Sequence, residues 1–438
     1  FISGHPGATA RQETLAQMAF ARDLSVPFNL KSWKRRREAL LRHGATSTEA
    51  RRLVSDQVYG LENNLKRWEG FLRTLRDADN WARLEKQEAE LKAAVAKQGG
   101  RAATASFEAI AKAVARERAM MKERALVGTL SSQTLAFALA LHQAEAERAK
   151  PSEQRLAEFS DARLKATEAR ILNPKAIDRG VDQALMLNAL QEAQELLGKD
   201  HPFVKAVLGG RSPEEVVRVT FRDTRLTDVE ERKEVWERGQ GHATDAMLNL
   251  ARAIDPFVRK LRKGYEDEVE SVFKEQGGRL AQQRFALYGH EAYPDATLTL
   301  RLAYGKVAGY PANGTWQAPF TTLAGLYDRA WGMGPTFMDG AWKLSPRWVE
   351  AWKQLDLTTP YNFAYSADTI GGNSGSPVVN PKGEVVGLNF DGNQEKLGNR
   401  YLYDPRTMRA VAVDTRALLH VLDKVFGAPH LVKELQGR

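Results

Sequence analysis

The 438-residue sequence contains no cysteine. That excludes disulfides, thiolate metal sites and thiol nucleophiles, and it leaves the redox compartment unreadable. No window approaches 18 uncharged apolar residues, so no transmembrane helix is expected. There is no His-Glu-x-x-His pair and no Gly-rich phosphate loop, so neither a metal nor a cofactor is implied. Repeats and low-complexity tracts are also missing. The opening Phe1-Ile2-Ser3-Gly4-His5-Pro6-Gly7 has no initiator Met, no basic n-region and no apolar h-region, so it is not a signal peptide. It reads as a strand entering a turn, and the expectation is a chain whose N-terminal part is missing.

What the sequence does have is charge of both signs, with 64 Lys and Arg against 55 Asp and Glu. The signs are interleaved, which fits a solvated helical surface better than a nucleic-acid face. The densest basic run, Lys31-Ser32-Trp33-Lys34-Arg35-Arg36-Arg37, has one aromatic and no stacking platform. It too reads as a solvated helix face, so no nucleic-acid partner is expected.

The length allows two or three domains. Residues 1–12 form the opening strand and turn. From 13 to 285 Gly and Pro are sparse and apolar residues recur at helical spacing. Leu61, Leu65, Trp68, Leu72 and Leu75 share a face that Leu84, Leu91 and Val95 continue, with Gly99-Gly100 as the stop. Further helices are predicted over Ser106–Lys150, Glu153–Leu172, Asp182–Leu197, Pro213–Val219, Asp228–Glu237 and Ala243–Gln276, closed by Gly277-Gly278. From 286 to 438 most of the prolines appear. Thr297–Leu302 alternates at period two, as a half-buried strand does. A Pro-Ala-Asn-Gly turn, strands at Val385–Asp391 and Ala410–Asp414, and a C-terminal helix near Arg416–Val425 follow. Trp342, Trp348 and Trp352 read as core or cleft wall. His5 sits in a strand-end turn and reads as structural.

The chain is organised around Thr369-Ile370-Gly371-Gly372-Asn373-Ser374-Gly375-Ser376-Pro377, followed by a strand–turn–strand pattern to Gly387. Gly-x-Ser-Gly with a proline three residues on suits a serine nucleophile. Ser374 presents its hydroxyl at a tight turn, while the N–H groups of Gly372 and Ser374 aim at the developing oxyanion. An ordinary Gly-rich hairpin is the alternative.

Several stretches together resemble the bacterial serine dipeptidyl peptidases of the dipeptidyl peptidase 7 and 11 type. They are Gly4-His5-Pro6-Gly7-x-Thr9-x-Arg11, Tyr293-Pro294-Asp295-Ala296, Leu300-Arg301, Tyr304-Gly305-Lys306-Val307, Phe320-Thr321-Thr322-Leu323-x-Gly325, Gly371–Pro377 and Phe390-Asp391-Gly392-Asn393. The resemblance implies an α+β fold: a chymotrypsin-like β-barrel half, a large inserted all-helical domain, and the first barrel absent. It implies a periplasmic or secreted homodimer that removes dipeptides from free N-termini. Asp391 and Asn63, or the adjacent Asn64, would hold the substrate's ammonium. Gly392, where an arginine favours acidic side chains, implies an open uncharged pocket and the apolar preference of the dipeptidyl peptidase 7 subclass. Asn373 stands where trypsin-like zymogens carry an activating aspartate, so no such switch is expected.

The family's triad His and Asp fall before the segment where this sequence begins, and none of the histidines at 5, 43, 142, 201, 242, 290, 420 and 430 has the matching context. Residues 1–438 alone are therefore expected to show little peptidase activity. The alternatives are a non-catalytic peptide-binding protein and, more distantly, a helical interaction or nucleic-acid module.

Overall fold

The structure, a computed structural model, describes residues 1–99, 104–128, 130–239, 244–291, 293–334 and 342–437. Gly100, His242 and the predicted helix start at Ala243 lie outside the described residues. The chain divides into two compact units. One comprises Phe1–Glu13, Gly70–Leu84 and His290–Arg438; the other comprises Thr14–Glu69 and Glu85–Gly289.

The second unit is helical. In chain order the helices up to Tyr288 are α1 (Leu15–Phe20), α2 (Val26–Gly44), α3 (Thr48–Arg76), α4 (Ala78–Gly99), α5 (Ala105–Leu126) and α6 (Gln133–Arg148). Then come α7 (Asp161–Ile171), α8 (Arg179–Leu197), α9 (Pro202–Leu208), α10 (Pro213–Arg222), α11 (Val229–Arg238), α12 (Ala246–Tyr265) and α13 (Ser271–Tyr288). Helix α6 buries Leu135, Phe137, Ala138, Leu139, Leu141 and Ala144. A helix apolar on most sides belongs in the middle of a bundle, and α6 packs there against Met247, Leu248, Ala251 and Ile254 of α12.

Four predicted helices differ from those observed. The Ser106–Lys150 pattern breaks between α5 and α6, where Leu130 and Ser131 take positive φ of 50° and 56°. The start of α6 is held by Asp182 on α8, which accepts Ser132 Oγ at 3.0 Å, Gln133 N at 2.7 Å and Thr134 N at 3.0 Å. A cap from so far along the chain leaves no trace in local periodicity. The Leu61–Val95 stripe breaks at Asp77, whose carboxylate takes the Asn80 N–H at 2.9 Å as an N-cap. Over Glu153–Leu172 two short 3-10 turns precede α7. Gly277-Gly278 closes nothing: α13 runs through both to Tyr288 and stops at Gly289. Glycine weakens a helix by about 1 kcal/mol, and the packing of α13 on α5 overrides that.

The first unit holds the sheet. Its strands are β1 (Ile2–Gly4), β2 (Arg301–Ala303), β3 (Tyr310–Ala312), β4 (Thr315–Gln317), β5 (Phe320–Thr322), β6 (Pro360–Tyr365), β7 (Pro377–Val379), β8 (Val385–Gly392) and β9 (Ala410–Asp414). Seven form one antiparallel sheet in the order β2-β1-β7-β8-β9-β6-β5, and β3-β4 form a hairpin. The α+β class expected from sequence is the one observed, mostly helical with one antiparallel sheet. The hairpin turns at Asn313-Gly314, both at positive φ, as an Asn-Gly turn requires. Ile2, Phe363, Tyr365, Val378, Ala410 and Ala412 form the sheet's core.

The Thr297–Leu302 strand is a correction. Only Arg301–Ala303 pairs with β1, Leu298 has φ of 62°, and Leu298, Leu300 and Leu302 are 63 %, 65 % and 67 % exposed. The Leu298 amide is claimed instead by the Pro6 carbonyl. The expected tryptophan cluster divides. Trp348 and Trp352 pack with Leu323, Tyr327 and Leu355, helped by a Trp331–Trp352 edge contact at 4.6 Å, while Trp342 lies under the Arg329 guanidinium.

Candidate active site

The turn at residues 371–376 lies between β6 and β7, and its backbone is set by polar neighbours. Gly372 adopts φ of 106°. A Cβ there would lie 2.4 Å from the His5 carbonyl oxygen, so both the backbone angle and the close approach demand glycine. The opening turn is tied to the same place, with the Gly7 N–H donating to Gly371 O at 2.7 Å. Buried Asn373 accepts the Ile370 N–H on its side-chain oxygen at 3.0 Å and takes the Ser376 N–H on its carbonyl. Gly375 N–H donates to Asn389 O at 2.7 Å. Asn389 is braced in turn by the Tyr365 hydroxyl at 2.8 Å. Burial pushes that phenol above its ordinary pKa, so it remains a donor.

The amides of Gly372 and Ser374 donate to no partner among the described residues, although those of Asn373, Gly375 and Ser376 all do. Both residues are exposed. The Ser374 hydroxyl donates to Phe390 O at 3.3 Å, a long bond, and no histidine bonds to it among the described residues. An exposed hydroxyl beside two unspent amides on a rigid turn can deliver a nucleophile and receive an oxyanion.

Behind the turn lies a charged scaffold. Arg11 forks onto Asp368 at 2.5 and 2.9 Å and donates to Asn399 O at 2.9 and 2.6 Å. Asp295 accepts the Thr9 hydroxyl at 2.5 Å and the Arg11 and Gln12 amides at 2.9 Å each. The stretches Gly4–Arg11 and Tyr293–Ala296, far apart in sequence, thus form one unit of hydrogen bonds.

Asp391 and Gly392 end β8, beside the Phe390 carbonyl that Ser374 contacts. Asp391 is exposed and accepts the Gly392 N–H at 2.8 Å. Asn63 is exposed on α3, in the helical unit. Its neighbour Asn64 accepts an Arg67 N–H on its side-chain oxygen at 2.7 Å. No group of side chains suited to a metal occurs among the described residues.

Sequence reasoning missed Lys396. It lies on a 3-10 turn, Gln394–Gly398, and is only 8 % exposed. Its ammonium donates to the Thr369 hydroxyl in a very short contact. A Cβ on Gly392 would fall 2.5 Å from Lys396 Cδ and 3.2 Å from its Nζ. The space read as open beside Gly392 is therefore filled by a lysine. Burial pushes that ammonium down to about 8, against the pull of Asp368 and Asp391 and with some push from Arg11. The turn itself is clamped by α3: a Cβ on Gly70 would strike Leu397, and one on Gly398 would strike Thr74.

An exposed serine hydroxyl on a Gly-rich turn beside two unspent amides is the arrangement that a serine nucleophile requires. The chain belongs to the Peptidase S46 family, whose profile matches residues 1–437. It is 26 % identical to the Asp/Glu-specific dipeptidyl-peptidase of Shewanella putrefaciens over 99 % of this chain and 64 % of that protein. It is 38 % identical to dipeptidyl-peptidase 7 of Phocaeicola vulgatus over 32 % of this chain and 20 % of that protein. The crystal structure of Porphyromonas endodontalis DPP11 in complex with the dipeptide Arg-Glu superposes with a TM-score of 0.78 at 22 % identity, over 99 % of this chain and 64 % of that one. The chain thus spans 64 % of the length of these long matches. No helix among the described residues is long and apolar enough to cross a membrane.

Proposed function

We propose that this chain carries the nucleophile half of a serine dipeptidyl peptidase acting on peptides with a free N-terminus. The observation that supports it best is the pair of unspent amides at Gly372 and Ser374 beside the exposed Ser374 hydroxyl. Ser374 Oγ attacks the carbonyl carbon after the second residue, and the oxyanion settles on those two amides. The leaving amine departs with a proton, and water then hydrolyses the acyl-enzyme. Asp391 and Asn63 hold the substrate's ammonium, which fixes the cut two residues in. The resemblance puts the activating His and Asp outside residues 1–438. The same resemblance is the support for a periplasmic homodimer.

The expectation of an apolar preference rested on Gly392 alone. An uncharged pocket suits apolar groups, and Lys396 changes that premise. Dipeptide release from fluorogenic substrates by the full-length gene product tests the function. Ser374→Ala is expected to cut turnover about a thousandfold or more, and acetylating the substrate's N-terminus should block cleavage. Wild-type turnover in Ser374→Ala would overturn the assignment. Residues 1–438 alone should turn over almost nothing, because a serine without its base is a weak nucleophile.

A further inference from the structure

We infer that Lys396 is the specificity determinant of this site, and that it selects an acidic side chain on the residue just before the scissile bond. The inference rests on the peptidase reading of Ser374. The residue whose carbonyl is attacked has its Cα one bond from that carbonyl. Its side chain must enter the space between the two segments that flank Ser374. Those segments are the approach to the turn, residues 369–373, and the end of β8, Phe390–Gly392, which Ser374 touches through the Phe390 carbonyl. Lys396 links the two, since its ammonium contacts Thr369 and its Nζ and Cδ lie where a side chain on Gly392 would begin. Whatever enters between these walls meets an ammonium at their junction.

The charge there is not already spent. No carboxylate lies within ion-pair distance of Lys396 among the described residues, whereas Arg11 and Asp368 satisfy each other through a two-point fork. Asp391 accepts the Gly392 amide. A buried lysine held by a single hydroxyl keeps donor capacity for a ligand. Burying a cation in this way costs stability unless something pairs with it, and a substrate carboxylate would supply the pair. The lysine is also pre-positioned. Its turn is fixed by Leu397 against Gly70 and by Gly398 against Thr74, so little order is lost on binding. Gly392 is then a glycine because Lys396 needs its space, and the cation reaches the pocket from four residues further on.

The experiment compares dipeptidyl substrates that carry Glu, Gln or Leu before the bond, in the full-length gene product. Glu is expected to exceed its uncharged isostere Gln by about 10- to 100-fold in kcat/KM, the range of a charge-assisted hydrogen bond. Lys396→Met should remove that ratio by lowering Glu turnover far more than Gln or Leu turnover, since the change roughly conserves volume and deletes the charge. A merely structural lysine would lower all three substrates together. If Lys396→Met does not fold, the wild type still decides. The Glu-over-Gln ratio should fall as pH rises through about 8; a preference owed to an arginine would stay flat. Leu preferred over Glu, or a ratio unmoved by Lys396→Met, overturns the inference while the peptidase reading stands. No Ser374-dependent turnover of any substrate sinks the peptidase reading instead. In that case calorimetry with dipeptides ending in Glu or Gln still tests the lysine, and equal affinity would overturn it.

Discussion

The two units use buried polar groups differently. In the helical unit a large apolar interior is accompanied by buried polar groups spread through it, such as Asp182, Glu147, Asp255 and Arg232, which tie helix ends and connecting segments together. In the sheet unit a small apolar core is accompanied by buried Thr369, Asn373, Asn389, Lys396, Asn399 and Arg409, most of them around one turn. Apolar packing tolerates small shifts. A hydrogen-bond network fixes angles, and it is costly if half made. The network sits where a reaction would need geometry, and the apolar mass sits where only shape is needed.

Substitutions can break that comparison or sharpen it. The largest effect is expected at Arg11. Arg11→Ala leaves Asp368 without its fork and should cost about 3–5 kcal/mol of stability, read by urea denaturation. A cost under about 1 kcal/mol would show that the network is not what holds the sheet unit. Asp182→Ala strips the Gln133 and Thr134 amides and two hydroxyls of their acceptor, so about 3 kcal/mol is expected. If Asp182→Asn restores most of it, charge is not the point and acceptor geometry is.

Lys396 gives the next effect, through pH. Its folded-state pKa lies below the unfolded value, so between about pH 8 and 10.5 the unfolded chain binds more protons and stability rises with pH. Below about 8 the burial penalty is complete. The groups facing the ammonium are Asp368, Asp391 and Arg11, with the Thr369 hydroxyl. Lys396→Met should remove a rise of about 3 kcal/mol from the difference between the two proteins; parallel pH curves would contradict the depressed pKa. Gly70→Ala pushes a methyl into Leu397 and should cost about 1–2 kcal/mol. The smallest effect has the opposite sign. Gly277 and Gly278 lie inside α13 with nothing within 4 Å of a would-be Cβ, so each change to Ala should stabilise by about 0.5–1 kcal/mol. Destabilisation there would mean that α13 is covered by something.

How much was legible follows from the same difference. Helices α8, α10 and α11 show in the sequence because their apolar spacing is the cause of their burial. The turn at residues 371–377 is legible because its glycines, Asn373 and Ser374 fall within one short run, although the close approach of the His5 carbonyl that also demands glycine at 372 is not. Breaks set from a distance are not legible, as at Asp182. Neither is Lys396: from Gly392 alone the space beside it looks empty, and only the fold shows the lysine that lies there. The alternation at Leu298, Leu300 and Leu302 misled because period two reports exposure on one face only when the strand exists.

The clamp between α3 and the Gln394–Gly398 turn has a practical meaning for anyone who wishes to take the protein apart. Residues 70–84 lie in the middle of the helical stretch of sequence yet belong to the unit that contains the sheet. Cutting out residues 14–289 as a cassette would withdraw Gly70, Phe71 and Thr74 from beneath Leu397, Tyr401 and Gly398. A graft or minimal scaffold that is meant to keep Lys396 in place has to keep that stretch, or rebuild its surface.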